Sequence, residues 1–272
     1  MNEITIAQLQ FPVSTDKEEN LERLAEALPS VKAEGADLVC LGEMFNCPYD
    51  NACFPVYAEP EGGSFYTALS YLAKEYGIIL SAGTIPECDA EGRIFNTAYV
   101  FSPEGELLAK HRKMHLFDID VKGGQRFMES DTLTAGNDFT VFDTAFGTMG
   151  ICICFDIRFP ELSRMMALCG AKLILVPAAF NMTTGPAHWE ISFRMRALDN
   201  QCFFAATSPA RDLTASYHAY GHSMITDPWG AVVHEMDEKE GIKVTTIDLD
   251  RTDEIRAQLP LLSARRPELY FL

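Results

Sequence analysis

The stretch Met149-Gly150-Ile151-Cys152-Ile153-Cys154-Phe155-Asp156 is an apolar run ending in cysteine, and Phe159-Pro160-Glu161 then opens a helix. A nucleophile on a sharp strand-to-helix turn projects from a sheet with its side chain accessible. Positive potential at the nearby helix N-terminus favours a thiolate on Cys154. Its backbone N–H groups also suit a developing oxyanion, with the Phe155 N–H as the first donor. The competing reading makes Cys152 and Cys154 core thiols on one face of the strand, since cysteine is often buried. A second segment, Leu38-Val39-Cys40-Leu41-Gly42-Glu43, sets a carboxylate directly after a buried strand. Open α/β sheets bind ligands at that edge. A glutamate desolvated there has a raised pKa and suits proton transfer near neutral pH; otherwise Glu43 is a solvated strand-end charge. The third segment, Lys110-His111-Arg112-Lys113-Met114-His115, is dense in basic side chains although the chain carries net charge -17. It is either a solvated loop or the holder of an ammonium beside an anionic intermediate, a task for lysine's compact charge on a long stem. Strand alternation leaves Lys110, Lys113 and His115 open. A thiol, a base and a cation at three strand ends together point to amide hydrolysis through a covalent thioester.

Strands are expected at Ile4 to Phe11, Leu38 to Leu41, Ile78 to Ile85, Asn96 to Phe101 and Leu107 to His111. Lys17 to Glu34 spaces Leu21, Leu24, Ala25, Leu28 and Val31 as a helix and stops at Gly35. Ser64 to Tyr76, Pro160 to Leu168 and His188 to Leu198 read as further helices. Phe139 to Phe142 and Met149 to Phe155 flank a Gly147 turn as a hairpin. Leu173 to Val176, Cys202 to Thr207, Ser223 to Thr226, Val232 to His234 and Val244 to Ile247 complete a strand-rich second half. Alternating strands and helices with antiparallel pairs indicate an α/β layered fold with a mixed sheet or two facing sheets.

Composition narrows the partners. The 272 residues are 47% hydrophobic and 22% charged, with pI about 4.7, an ordinary globular balance. Such acidity argues against nucleic acid, which is bound mainly through basic side chains, and against an anionic membrane surface. An anionic substrate would need a local positive site. The first ten residues lack a basic n-region, and no apolar run is long enough to span a bilayer. Eight cysteines without a C-x-x-C pair read as free thiols in a reducing cytoplasm, with no structural zinc.

Gly42-Glu43, Lys113 and Cys154 sit in contexts that resemble the nitrilase superfamily of carbon–nitrogen hydrolases, in the same order, from residue 3 to the C-terminus. The resemblance implies one domain over residues 1–272, an α/β four-layer αββα sandwich of two mixed β-sheets. It implies a catalytic Glu43, Lys113 and Cys154, with Glu129 beside the lysine. It assigns no task to a metal or organic cofactor. Within the superfamily the chain is most similar to the branch acting on small 2-oxo acid ω-amides, such as 2-oxoglutaramate and 2-oxosuccinamate. That choice rests on His115-Leu116-Phe117-Asp118-Ile119-Asp120, Asn181-Met182-Thr183-Thr184-Gly185-Pro186-Ala187-His188-Trp189-Glu190 and Ser208-Pro209-Ala210-Arg211-Asp212.

The matching motifs add Tyr49, Thr183, Thr184 and His188 as pocket candidates, although His188 also reads as a structural histidine. Arg158, four residues past Cys154, is either the bidentate partner of the substrate carboxylate or the partner of Asp156 or Glu161. Cys152 and the loop Gly123-Gly124-Gln125-Arg126 depart from the family pattern, and the loop bears on substrate preference. Alternatives are the same triad acting on deaminated glutathione or an N-carbamoyl amine, a papain-like pair using His188 or His222, and a non-enzymatic acidic scaffold. The superfamily forms homodimers and larger homo-oligomers. The apolar end Leu269-Tyr270-Phe271-Leu272 suits packing against another surface.

Overall fold

The computed structural model describes residues 1–270; Phe271 and Leu272, the end of the apolar tail expected to pack, lie outside them. The first sheet contains β1 (Glu3–Gln10), β2 (Leu38–Cys40), β3 (Ile79–Cys88), β4 (Ile94–Phe101), β5 (Leu107–Arg112) and a late strand from Gly241–Asp248. Between β1 and β3 lie α1 (Lys17–Ala33), the single turn α2 (Phe54–Tyr57) and α3 (Ser64–Tyr76). A small exposed hairpin, β6 (Asp118–Asp120) with β7 (Arg126–Met128), leads to a 3-10 turn at Glu129–Asp131. The second sheet is built from β8 (Thr140–Thr144), β9 (Gly147–Ile151), β10 (Leu173–Pro177), β11 (Phe203–Thr207), β12 (Met224–Thr226) and β13 (Val232–Glu235). Its helices are α4 (Pro160–Leu168) and α5 (Gly185–Asn200); the Gly241–Asp248 strand is β14, and α6 (Asp250–Gln258) follows it.

The sheet orders are β14-β1-β2-β3-β4-β5 and β13-β12-β11-β10-β9-β8. In each, three parallel strands joined through helices are flanked by antiparallel ones. Alternation explains the layering. Ile4 and Ile6 of β1 join the core shared with Met149, Ile151 and Leu173 of the second sheet. Ala7 and Leu9 face the other way, with Leu24 and Leu28 of α1 and Leu69 and Leu72 of α3. Trp189 and Phe193 of α5 and Leu162 and Met166 of α4 cover the far side of the second sheet. The result is the expected four-layer αββα sandwich of two mixed sheets.

The layering brings three strand ends to one side. β2 and β9 are parallel strands, so Glu43 and Cys154 follow C-terminal strand ends, where α/β sheets bind ligands. Two antiparallel steps from β3 turn β5 back to the direction of β3, which delivers Lys113 to the same end.

Two expectations are corrected, and one helix was not foreseen. The strand expected through Phe155 stops at Ile151, and Cys154–Arg158 forms a 3-10 turn. The Asp156 carboxylate accepts the Ile153 N–H at 3.0 Å and draws the chain out of the sheet. Cys152 and Cys154 therefore do not share one face of a strand. The last expected strand, Val244 to Ile247, lies within β14, and the unexpected α6 after it buries only Thr252 and Ile255, too thin a face for an apolar periodicity. Finally, α5 begins at Gly185, three residues before the expected start, with Pro186 in its first turn.

Candidate active site

Cys154 has φ 46°, in the left-handed region that non-glycine residues rarely occupy. Such strain persists only where surroundings over-determine it, and Asp156 supplies them. Its buried carboxylate also accepts from the His115 N–H at 2.9 Å and bonds the rings of His115 at 2.8 Å and His111 at 3.1 Å. Although burial opposes ionisation, the two histidines and the Ile153 N–H hold Asp156 far below the ordinary carboxylate range. Lys113 lies between those histidines in the chain. One carboxylate thus ties the nucleophile's turn to the lysine's loop.

The basic segment resolves by its partners. Lys110 reaches Glu61 and Glu87, and His115 reaches Asp156. Lys113 is fully buried, with Nζ 2.9 Å from both Glu43 Oε1 and Glu129 Oε2. Burial alone would lower its pKa, but the Glu129 and Glu43 carboxylates outweigh that and raise it, so the ammonium is kept. Glu129 is anchored by the Phe117 N–H at 2.6 Å and by the Tyr49 hydroxyl at 2.5 Å. Tyr49, a pocket candidate from sequence, thus spends its hydroxyl within this cluster, while its ring stacks on Tyr217 at 4.5 Å between centroids.

Glu43 is 1% exposed, and its two oxygens differ. Oε1 faces Lys113 at 2.9 Å, Asn96 Nδ2 at 2.8 Å and Tyr49 at 3.3 Å; Oε2 has no hydrogen-bond partner. Burial raises the Glu43 pKa, Lys113 opposes it and Glu129 adds to it. Cys154 is 3% exposed. Burial and then Glu43 push its thiol well above the ordinary range, with Lys113 and a hydrogen bond from the Ala179 backbone pulling the other way. Desolvation thus outweighs the helix end that favours a thiolate, which makes a base beside Cys154 necessary. Phe155 N–H lies in the first turn after Cys154, where such groups have no partner within the helix.

A cavity of about 470 Å³ opens on this cluster, lined by Glu43, Cys47, Tyr49, Ala179, Ala210 and Tyr217 among others. Arg158 does not pair with Asp156 or Glu161; among the described residues no carboxylate bridges to it. Its guanidinium lies 4.7 Å from the Phe180 ring and 3.1 Å from His188 Nδ1. Burial lowers its pKa, whereas Cys154 and Tyr217 act to raise it. His188 is exposed and engaged with Arg158. Of the pocket candidates Tyr49 lines the cavity, whereas Arg158, Thr183, Thr184 and His188 do not. The Thr183 and Thr184 backbone N–H groups and the Thr184 hydroxyl bond Asn181 Oδ1 at 2.8 to 3.0 Å, forming the entry to α5. His222 bonds Glu235 at 2.9 Å and stacks on Tyr220, so neither His188 nor His222 is paired with Cys154 as a papain-like pair requires.

Sequence reasoning missed Asn96, Asp156 and Tyr217. Asn96 stands within a largely apolar strand and Tyr217 in a polar loop, neither with a motif signal. Asp156 was visible only as a polar residue two places after the cysteine. Among the described residues no cluster of His, Cys, Asp and Glu suits a metal ion, and no helix is long and apolar enough to cross a membrane. All eight cysteines are free.

Comparison with known proteins places this arrangement in a family. The chain is 50% identical to omega-amidase NIT2-A of Xenopus laevis, over 99% of this chain and 98% of the relative. It is 46% identical to omega-amidase NIT2 of Homo sapiens over the same shares. Its fold matches the crystal structure of Saccharomyces cerevisiae Nit3, a member of branch 10 of the nitrilase superfamily, with TM-score 0.89 and 41% identity over 97% of each chain. Residues 3–257 match the carbon–nitrogen hydrolase family, so the chain with this buried cysteine, lysine and pair of glutamates belongs to that family within the nitrilase superfamily.

Proposed function

We propose that this carbon–nitrogen hydrolase cuts the terminal amide of small 2-oxo acid ω-amides, such as 2-oxoglutaramate and 2-oxosuccinamate, to the dicarboxylate and ammonia. The observation that carries the reading is the Lys113 ammonium 2.9 Å from two buried carboxylates, one of which keeps a free oxygen beside Cys154. The substrate class is supported by the likeness to proteins named omega-amidase and by Arg158, a half-buried guanidinium without a carboxylate. A guanidinium fork binds carboxylate bidentately.

Glu43 takes the Cys154 proton as sulfur attacks the amide carbon. A thiol this far from ionising needs a base in contact with it. The oxyanion is met by Lys113 Nζ and the Phe155 N–H, donors fixed before charge develops. Glu43 passes the proton to the amide nitrogen, the C–N bond breaks and ammonia leaves a thioester on Cys154. Glu43 then takes a proton from water as it attacks the thioester, and the departing sulfur recovers that proton. Glu129 and Tyr49 hold Lys113 in place. The chain's own side chains complete this cycle without a cofactor.

The cavity also has room for a longer amide, so the same triad acting on deaminated glutathione or an N-carbamoyl amine is the second reading. Steady-state ammonia release from 2-oxoglutaramate, 2-oxosuccinamate and deaminated glutathione separates them. The proposal expects the highest kcat/KM for a 2-oxo acid amide and no turnover by Cys154→Ala. A preference for deaminated glutathione or an N-carbamoyl amine would overturn the substrate assignment, and substantial hydrolysis by Cys154→Ala would overturn the chemistry.

A further inference from the structure

Asn96 lies in β4 and is fully buried, with no place in the triad. It touches two of the triad's members. Its Nδ2 donates to Glu43 Oε1 at 2.8 Å, and its carbonyl accepts the Lys113 N–H at 2.8 Å. Its own Oδ1 has no partner. Burying an amide half-satisfied is costly, so the position demands a reason other than filling space. We propose that Asn96 is a positioning residue that turns the Glu43 carboxyl, occupying Oε1 so that Oε2 alone is left to exchange protons with Cys154. This rests on Glu43 being the base.

The groups facing Glu43 make the argument specific. Lys113, Asn96 and Tyr49 all crowd Oε1, whereas Glu129 contributes charge and Cys154 lies beside the carboxyl. Lys113 and Tyr49 are shared with Glu129. Asn96 is the donor given to Glu43 alone, and through its carbonyl it fixes where Lys113 leaves the sheet. Removing Nδ2 frees the carboxyl to rotate and withdraws a donor from its ionised form, which raises its pKa further. A base acts above its pKa, so the acid limb of the rate profile should move to higher pH.

The test is the pH profile of kcat/KM for 2-oxoglutaramate in wild type, Asn96→Ala, Asn96→Ser and Glu43→Gln. The expected result for Asn96→Ala is a kcat about tenfold to a hundredfold lower with KM within about threefold, and an acid limb displaced upward by about one pH unit. Asn96→Ser, whose hydroxyl is too short to reach Oε1, should behave alike and serves if alanine does not fold. An unchanged acid limb in a folded variant, or a loss confined to KM or thermal stability, would overturn the assignment. Glu43→Gln keeps the two readings apart: activity retained there removes the base itself, whereas an inactive Glu43→Gln beside a wild-type profile for Asn96→Ala removes only the positioning role.

Discussion

At the scale of single residues the account rests on how burial and charge divide tasks among Glu43, Lys113, Cys154 and Glu129. Glu43 and Cys154 were legible because each follows an apolar strand, whereas Lys113 was singled out from the basic segment only by the family resemblance. Residue type alone leaves the pairing open, since Lys110 and His115 are also basic; the resemblance implied Glu129 beside Lys113, and the fold shows which carboxylates each meets. Arg158 is legible as a cation, but its lack of a carboxylate partner is a tertiary fact. Replacing Arg158 by methionine should raise KM for 2-oxoglutaramate by about tenfold to a hundredfold, the worth of a charged hydrogen bond. KM for an uncharged amide of similar size should change little. Steady-state kinetics on both substrates checks this, and equal effects on the two would remove the carboxylate role. Tyr49→Phe should lower kcat by about tenfold, because Glu129 loses a 2.5 Å donor and Lys113 loses a neighbour while the ring stack survives.

At the scale of elements, turns rather than strands set the geometry. The sequence announced β1, α1, α3, α4 and the central strands of the second sheet through periodicity and buried runs. It missed α2, α6 and the β6–β7 hairpin, which are short or nearly unburied, and periodicity has no purchase there. It also ran β9 too far, because nothing local reveals that Asp156 will capture the Ile153 N–H. Asp156→Asn should loosen both the Cys154 turn and the His115 loop. The expected outcome is a loss of about 2 to 4 kcal/mol in chemical denaturation and a fall in kcat beyond what stability explains. Gly83, in β3 with φ 66°, is a second pivot: a Cβ there would stand 2.2 Å from the carbonyl oxygen of Gly42, the residue before Glu43. Gly83→Ala should destabilise by about 2 kcal/mol or more and displace the base's turn, read as lower kcat in the folded fraction.

At the scale of the whole molecule two features stand out: the sheets are joined by polar side chains, and the site's cations, Lys113 and Arg158, lie within an acidic chain. Gln8 of β1 donates to the Ala206 carbonyl in the second sheet and meets His234 Nε2 at 2.8 Å, while Thr245 of β14 lies 2.9 Å from His234 Nδ1. Burial, then Lys243, lowers the His234 pKa to about 4. A depressed histidine lends stability above its ordinary pKa of about 6.5, which is lost as pH falls toward 4. His234→Gln should flatten that dependence, with on the order of 1 kcal/mol at stake after allowing for screening of the partly open ring. Denaturant midpoints between those pH values test it. The charge of -17 should slow the approach of an anionic substrate at low salt. As the screening length drops from about 30 Å to about 8 Å, kcat/KM for 2-oxoglutaramate should rise modestly while that for a neutral amide stays flat. A homo-oligomer, expected from the family resemblance, would give a light-scattering mass at a multiple of 30.3 kDa.

The most direct test is to quench turnover of 2-oxoglutaramate with acid and map the acylated peptide by mass spectrometry. The expected result is one acyl group in thioester linkage on Cys154, absent when Cys154 is alanine. Rapid turnover with the acyl group on another cysteine, or with Cys154 never acylated, would contradict the account.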